Sequence, residues 1–181
     1  MHDHDDQESG LSRRTVLKAA AALGASGSVA SPGWAMAPQV SAEMAKAATS
    51  WLKLLDTAQR ARSQFAWDDG RRTDWHYVPR TRPGITLGEM NAAQTAASWD
   101  LLGTLLSARG LGLVRNQLTV ESILGEIEGR THFRDPGNYA FILFGDPAGG
   151  DPWSWRIEGH HLALNTVVAP GHGLAVTPNF F

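Results

Sequence analysis

In the run Pro152 to Asn165, PWSWRIEGHHLALN, four ionisable side chains, Arg156, Glu158, His160 and His161, crowd into six positions of an otherwise apolar stretch. A carboxylate and two imidazoles are the groups that hold a divalent transition metal such as zinc, and they also serve as general acid and base. Strand alternation would set Trp153, Trp155 and Ile157 on one face and Arg156, Glu158 and His160 on the other, with His161 returning to the first. Gly159 reads as a bulge that would re-aim both histidines toward one pocket. A further pair, Asp74 and His76 in TDWHYVP, shares a face if extended, and a carboxylate beside an imidazole orients it. The candidate set is therefore Glu158 and His160 as the catalytic pair, with His160, His161 and His76 as metal ligands. Packing competes with chemistry here, because two buried tryptophans contribute roughly 8 to 12 kcal/mol of gross burial, enough to account for a core hairpin. His132 and His172, in turn-rich stretches, read as surface residues.

These residues need elements to position them. Met44, Ala47, Ala48, Trp51, Leu52, Leu55 and Ala58 recur at spacings of three and four, which predicts a helix from Ser41, as cap, to Arg62. Gln64 to Val78 reads as a short hairpin or extended loop around Asp68-Asp69-Gly70. Asn91 with Gln94 is a capping-box pattern opening a second helix that Gly110 would stop. A third helix is expected from about Thr119 to Glu128, with Val120, Ile123, Leu124 and Ile127 as its buried stripe. After Asn138 the period shortens: YAFILFG, then the long alternating WSWRIEGHHLALNTVV, then LAVTP, separated by turn clusters. Helices first and strands last predict an α+β fold, N-terminal helices packed on a C-terminal antiparallel β-sheet.

The chain of 181 residues carries 16 basic and 18 acidic side chains, so no strong field of either sign marks a nucleic-acid partner. No apolar run reaches the ~20 residues of a membrane span. The absence of cysteine excludes disulfides, thiolate nucleophiles and sulfur-ligated zinc or iron–sulfur centres. Motifs of zincins, serine hydrolases, Walker-type nucleotide hydrolases and Rossmann dehydrogenases are all missing. At the N-terminus, Arg13 and Arg14 precede Leu17, Lys18 and an Ala-rich stretch ending in small residues, the layout of a twin-arginine export signal. Residues 1–35 are expected to be that signal, read by the twin-arginine export machinery, and residues 36–181 one domain of a periplasmic or secreted protein.

The strings RTDWHYVPRTRPGITLGEMNAAQ, NYAFILFGDPAGGDPWSWRIEGHHLALNTVV and AVTPNFF resemble the bacterial family known as Domain of Unknown Function 3500. The resemblance implies an exported protein, supplies no catalytic residue, and implies a longer family domain of which this chain would be the N-terminal part. Two functional expectations result. One is a metal-dependent hydrolase built on the Glu/His cluster; the other is a non-catalytic binding module in which exposed Trp67, Trp75 or Trp153 stacks on a small-molecule or peptide ligand.

Overall fold

Among the described residues the first part of the chain forms four α-helices, three of them opened by capping side chains: α1 (Pro32–Leu54), α2 (Thr57–Ser63), α3 (Ala92–Leu105) and α4 (Ala108–Glu128). The computed structural model describes residues 32–180 apart from 77, 79, 171 and 172; Arg13, Arg14 and His172 lie outside the described residues. The chain divides into two compact units, Met1–Ala35 and Met36–Phe181, and the second holds the sheet and the buried core. The single helix expected from Ser41 to Arg62 is two helices, and Ser41 lies inside the first. Asp56 breaks it: its side chain accepts from Gln59 N at 2.8 Å while Gln59 reaches back to Asp56 N, so a new helix starts there. The freed Leu54 carbonyl accepts from buried Gln94 Nε2 at 2.9 Å.

The capping box of Asn91 and Gln94 is present, as its spacing predicts. Gly110, however, stops nothing. Ser107 Oγ accepts from Gly110 N and opens α4, which is twice the length expected and ends at Gly129 with left-handed φ of 64°. Val120, Ile123 and Ile127, expected to be buried, are exposed; α4 turns Val114, Glu121 and Gly125 inward instead. Gly125 allows this because the Arg134 carbonyl packs where a side chain would stand.

The strands are β1 (Gln64–Phe65), β2 (Ile85–Thr86), β3 (Ala140–Phe144), β4 (Trp153–Gly159), β5 (Leu162–Ala169) and β6 (Gly173–Phe180). They form one mostly antiparallel sheet in the order β1-β3-β4-β5-β6, with β2 pairing β3 antiparallel and β1 pairing it in parallel. The fold is α+β. Phe141, Leu143, Trp153, Trp155, Ile157 and Leu164 face a core completed by Met44, Ala48, Trp51 and Leu52 of α1 and Leu101 and Leu102 of α3, with Trp51 and Phe141 rings 5.9 Å apart. Arg156 and Glu158 alternate to the opposite face, as the strand period requires.

Two expectations about the C-terminal half need correction. The long segment from Trp153 is two strands, because His160 and His161 form the turn of a tight hairpin in which Gly159 pairs with Leu162. His161 supplies the reversal with a φ of 58°, a left-handed conformation usually taken by glycine or asparagine, so no turn signal stands in the sequence. Gly159 is not a bulge but a regular ladder residue. Its missing side chain makes room for Tyr139, whose ring occupies the space a Cβ would fill and whose hydroxyl donates to the His160 carbonyl at 2.7 Å. Of the short hairpin or extended loop expected over residues 64–78, the loop is what forms: among the described residues of that stretch Gln64 and Phe65 pair with the sheet, and the rest is irregular apart from a 3-10 turn at Gly70–Arg72.

Replacing Gly159 by alanine drives a methyl group into the Tyr139 ring. We expect a loss of about 1 to 3 kcal/mol in denaturant-induced unfolding. A midpoint equal to wild type would show that the ring does not depend on the glycine.

Candidate active site

Two sets of buried charge meet near the β4–β5 turn. The first is on the sheet face opposite the helices. Glu158, 1 % exposed, has Oε2 at 2.8 Å from Arg156 Nε and Oε1 at 3.2 Å from Arg82 Nε. Both are close ion pairs rather than aligned hydrogen bonds. Burial pushes the Glu158 carboxyl up from its ordinary value while the two guanidiniums pull it down, and the same desolvation lowers both arginines. The outer nitrogens are used on backbone. Arg156 donates to the carbonyls of Arg71, Arg72 and Asp74, and Arg82 to those of His76, Val78, Arg80 and Gly159. These bonds take the place of a strand ladder for residues 71–80 and fix that loop to the sheet.

The second set is at the turn itself. Glu121 of α4, also 1 % exposed, puts Oε1 2.7 Å from His160 Nδ1; Arg134 Nη1 lies 3.2 Å from the same nitrogen and 3.6 Å from Glu121 Oε2. One nitrogen cannot donate to Glu121 and accept from Arg134 together. The shorter contact, to a buried carboxylate, assigns the Nδ1 hydrogen to Glu121 and puts the lone pair of the neutral ring on Nε2. Arg134 is held by Glu128 at 2.7 and 2.8 Å, so its charge stays beside the pair. Burial and the neighbouring Glu121 charge raise the Tyr139 phenol, which keeps its proton to hold the His160 carbonyl.

His160 and Glu121 line a cleft of about 640 Å³ between the 80–89 segment, α4 and residues 132–139. Arg62, Arg80 and Arg82 line it too, against Glu89 and Asp135. Each of those carboxylates is engaged: Glu89 by Arg62 and Thr86, Asp135 by the Gly137 N–H. The arrangement, a carboxylate behind an imidazole at the wall of a cleft of ligand size, is suited to moving a proton.

The sequence-predicted set is only partly brought together. Glu158 and His160 lie at the same end of β4, but both Glu158 oxygens face arginines and His160 pairs with Glu121. His161 stacks on His160, ring centroids 4.0 Å apart. Arg82 ties the His76 carbonyl to the Gly159 carbonyl, yet the His76 imidazole is exposed and bonds Asp74 at 3.1 Å. Among the described residues no group of three or more His, Asp or Glu is placed to hold a metal ion. Of the three tryptophans named as ligand contacts, Trp153 is buried, while Trp67, with Arg72 over its ring at 4.2 Å, and Trp75 are half-buried. Sequence reasoning missed Glu121, Arg134 and Arg82. The available signal was Val114, Glu121 and Gly125 at intervals of seven and four, a helical face whose charged member needs a partner.

His161 has a directional consequence for stability. Burial first, and the charge of His160 second, hold its imidazole below the ordinary value of 6.5. The unfolded chain therefore binds a proton more readily, so this residue's contribution is complete above pH 6.5 and is lost as pH falls through the lowered value. In H161N, where asparagine tolerates the left-handed backbone, the slope of stability between pH 7 and 5 should be shallower than in wild type. Identical slopes in urea titrations would refute this assignment.

Among known proteins, no curated protein and no solved structure matches the chain. A family model described as "Protein of unknown function (DUF3500)" matches residues 37–181, which takes in every element of the sheet and the cleft. This chain belongs to the DUF3500 family.

Proposed function

We propose that this protein is an exported hydrolase of a polar small molecule, in which His160, oriented by Glu121, takes a proton from water as that water attacks. The observation that carries the reading is the 2.7 Å contact between Glu121, 1 % exposed, and His160 Nδ1 at the wall of the cleft. A buried carboxylate accepting the Nδ1 hydrogen keeps the Nε2 lone pair toward the cleft and stabilises the imidazolium that forms. Arg62, paired with Glu89, and Arg80, paired with Asp74, line the same cleft and add positive charge to its wall, which suits negative charge developing on the substrate. The metal-dependent version of this activity would draw on Glu158, His160, His161 and His76. Glu158 is committed to two arginines and His76 to Asp74, so the donor set favours direct proton transfer by His160 over a metal-held water.

The test is turnover of chromogenic carboxylic esters, phosphate monoesters and glycosides at pH 7 to 8. Hydrolysis of one class is expected, with kcat reduced at least ~100-fold in H160Q and E121Q while melting temperatures stay within a few degrees of wild type. Undiminished turnover in H160Q, or no turnover of any class, would overturn the proposal, the second result favouring a binding role for the cleft.

Export is the other half of the proposal and rests on Arg13, Arg14, Leu17 and Lys18. Replacing both arginines by lysine should hold the precursor in the cytoplasm in folded form. Mature protein appearing in the periplasm at the normal rate would remove the twin-arginine route.

A further inference from the structure

The outward face of α4 carries an apolar stripe that is about half or more exposed to solvent. Leu113, Val120, Ile123 and Ile127 are 49 %, 46 %, 49 % and 74 % exposed. Leu113, Val120 and Ile127 are seven apart, and Ile123 falls between them at three and four. This is the a/d spacing of a helix that pairs with another helix. No helix among the described residues is long and apolar enough to cross a membrane, and α4 has charged residues beside its stripe.

We propose that this stripe is a dimerisation face, on which the α4 of a second copy packs antiparallel about Val120. Two features select that occupant and orientation. The stripe is centred on Val120, with Leu113 and Ile127 equidistant on either side, so a two-fold axis there brings Leu113 onto Ile127 and Val120 onto Val120, with Ile123 over Gln117. Arg115 and Glu126 flank the stripe on one side, five residues before and six after Val120. Antiparallel packing places Arg115 of each copy beside Glu126 of the other; parallel packing would put the two copies' charged sides on opposite edges of the contact, where the pairing is lost. Both are exposed, Arg115 resting over the Trp99 ring at 4.7 Å. The contact spans roughly 21 Å of helix, less than a standard interface of ~800 Å² per partner requires, so the dimer is a weak one.

The test uses sedimentation velocity and disulfide trapping on the full chain, which has no cysteine of its own. Wild type should shift from monomer toward dimer over roughly micromolar to hundreds of micromolar concentrations. I127E should stay monomeric throughout with unchanged far-UV circular dichroism and melting, because the residue it replaces is exposed. Under mild oxidation V120C should crosslink to itself, L113C and I127C alone should not, and an equimolar mixture of L113C and I127C should give the heterologous pair. Wild type that remains monomeric at every concentration, as it would if another part of the chain or a different protein covered the stripe, overturns the proposal. So does self-crosslinking of L113C as fast as V120C, which marks a parallel pair or random collision.

Discussion

A single carboxylate, Glu158, stands between two guanidiniums on a sheet face that water hardly reaches, and the irregular part of the structure depends on that contact. Taking three charges out of water costs several kcal/mol per ion, and their mutual attraction roughly offsets it. What the arrangement provides is specificity. Arg82 and Arg156 have nitrogens left over after meeting Glu158, and in a dry environment these must find acceptors. They find seven different backbone carbonyls, six of them in residues 71–80 and one at Gly159. A loop without strand pairing is thereby fixed, and its continuation, Arg80 to Gly84, becomes a wall of the cleft.

The opposite wall is set by a different contact. Tyr139 crosses the sheet where Gly159 leaves room and holds the His160 carbonyl, while Glu121 reaches from α4 to the ring of the same residue. His160 is thus held through backbone by the sheet and through side chain by a helix. A turn residue at a hairpin tip is ordinarily mobile; here three elements converge on it. The role proposed for His160 requires such rigidity, since an imidazole free to rotate loses most of its value as a base.

The order of helices and strands and His160 itself are legible in the sequence; the helix bounds, the β4–β5 turn and the partners of His160 are not. Asn91 with Gln94, the tryptophan alternation in β4 and the switch from helical to strand period each express local physics, and each appears where expected. Asp56 shows where that reading fails. Its capping box competes with an uninterrupted apolar period, and only tertiary capture of the Leu54 carbonyl by Gln94 decides the contest. His160 and His161 form a turn without glycine or asparagine because the stacked rings and the Tyr139 bond hold it from outside the local sequence. Glu121 was hidden by Val120, Ile123 and Ile127, whose stripe outranks one carboxylate on any hydropathy pattern yet lies on the exposed side. The partner that makes Glu121 a buried residue is 39 positions away, a separation no periodicity can bridge.

The central claim is that Glu121 fixes the His160 tautomer so that Nε2 is the proton acceptor. Nitrogen-15 chemical shifts of the His160 ring, measured by NMR on labelled protein across its titration, report this directly. The account predicts that neutral His160 carries its hydrogen on Nδ1, and that E121Q relaxes it toward the mixed tautomers of a free imidazole. A neutral His160 protonated at Nε2, unaffected by E121Q, would contradict it, because the nitrogen assigned to the reaction would then have no lone pair to offer.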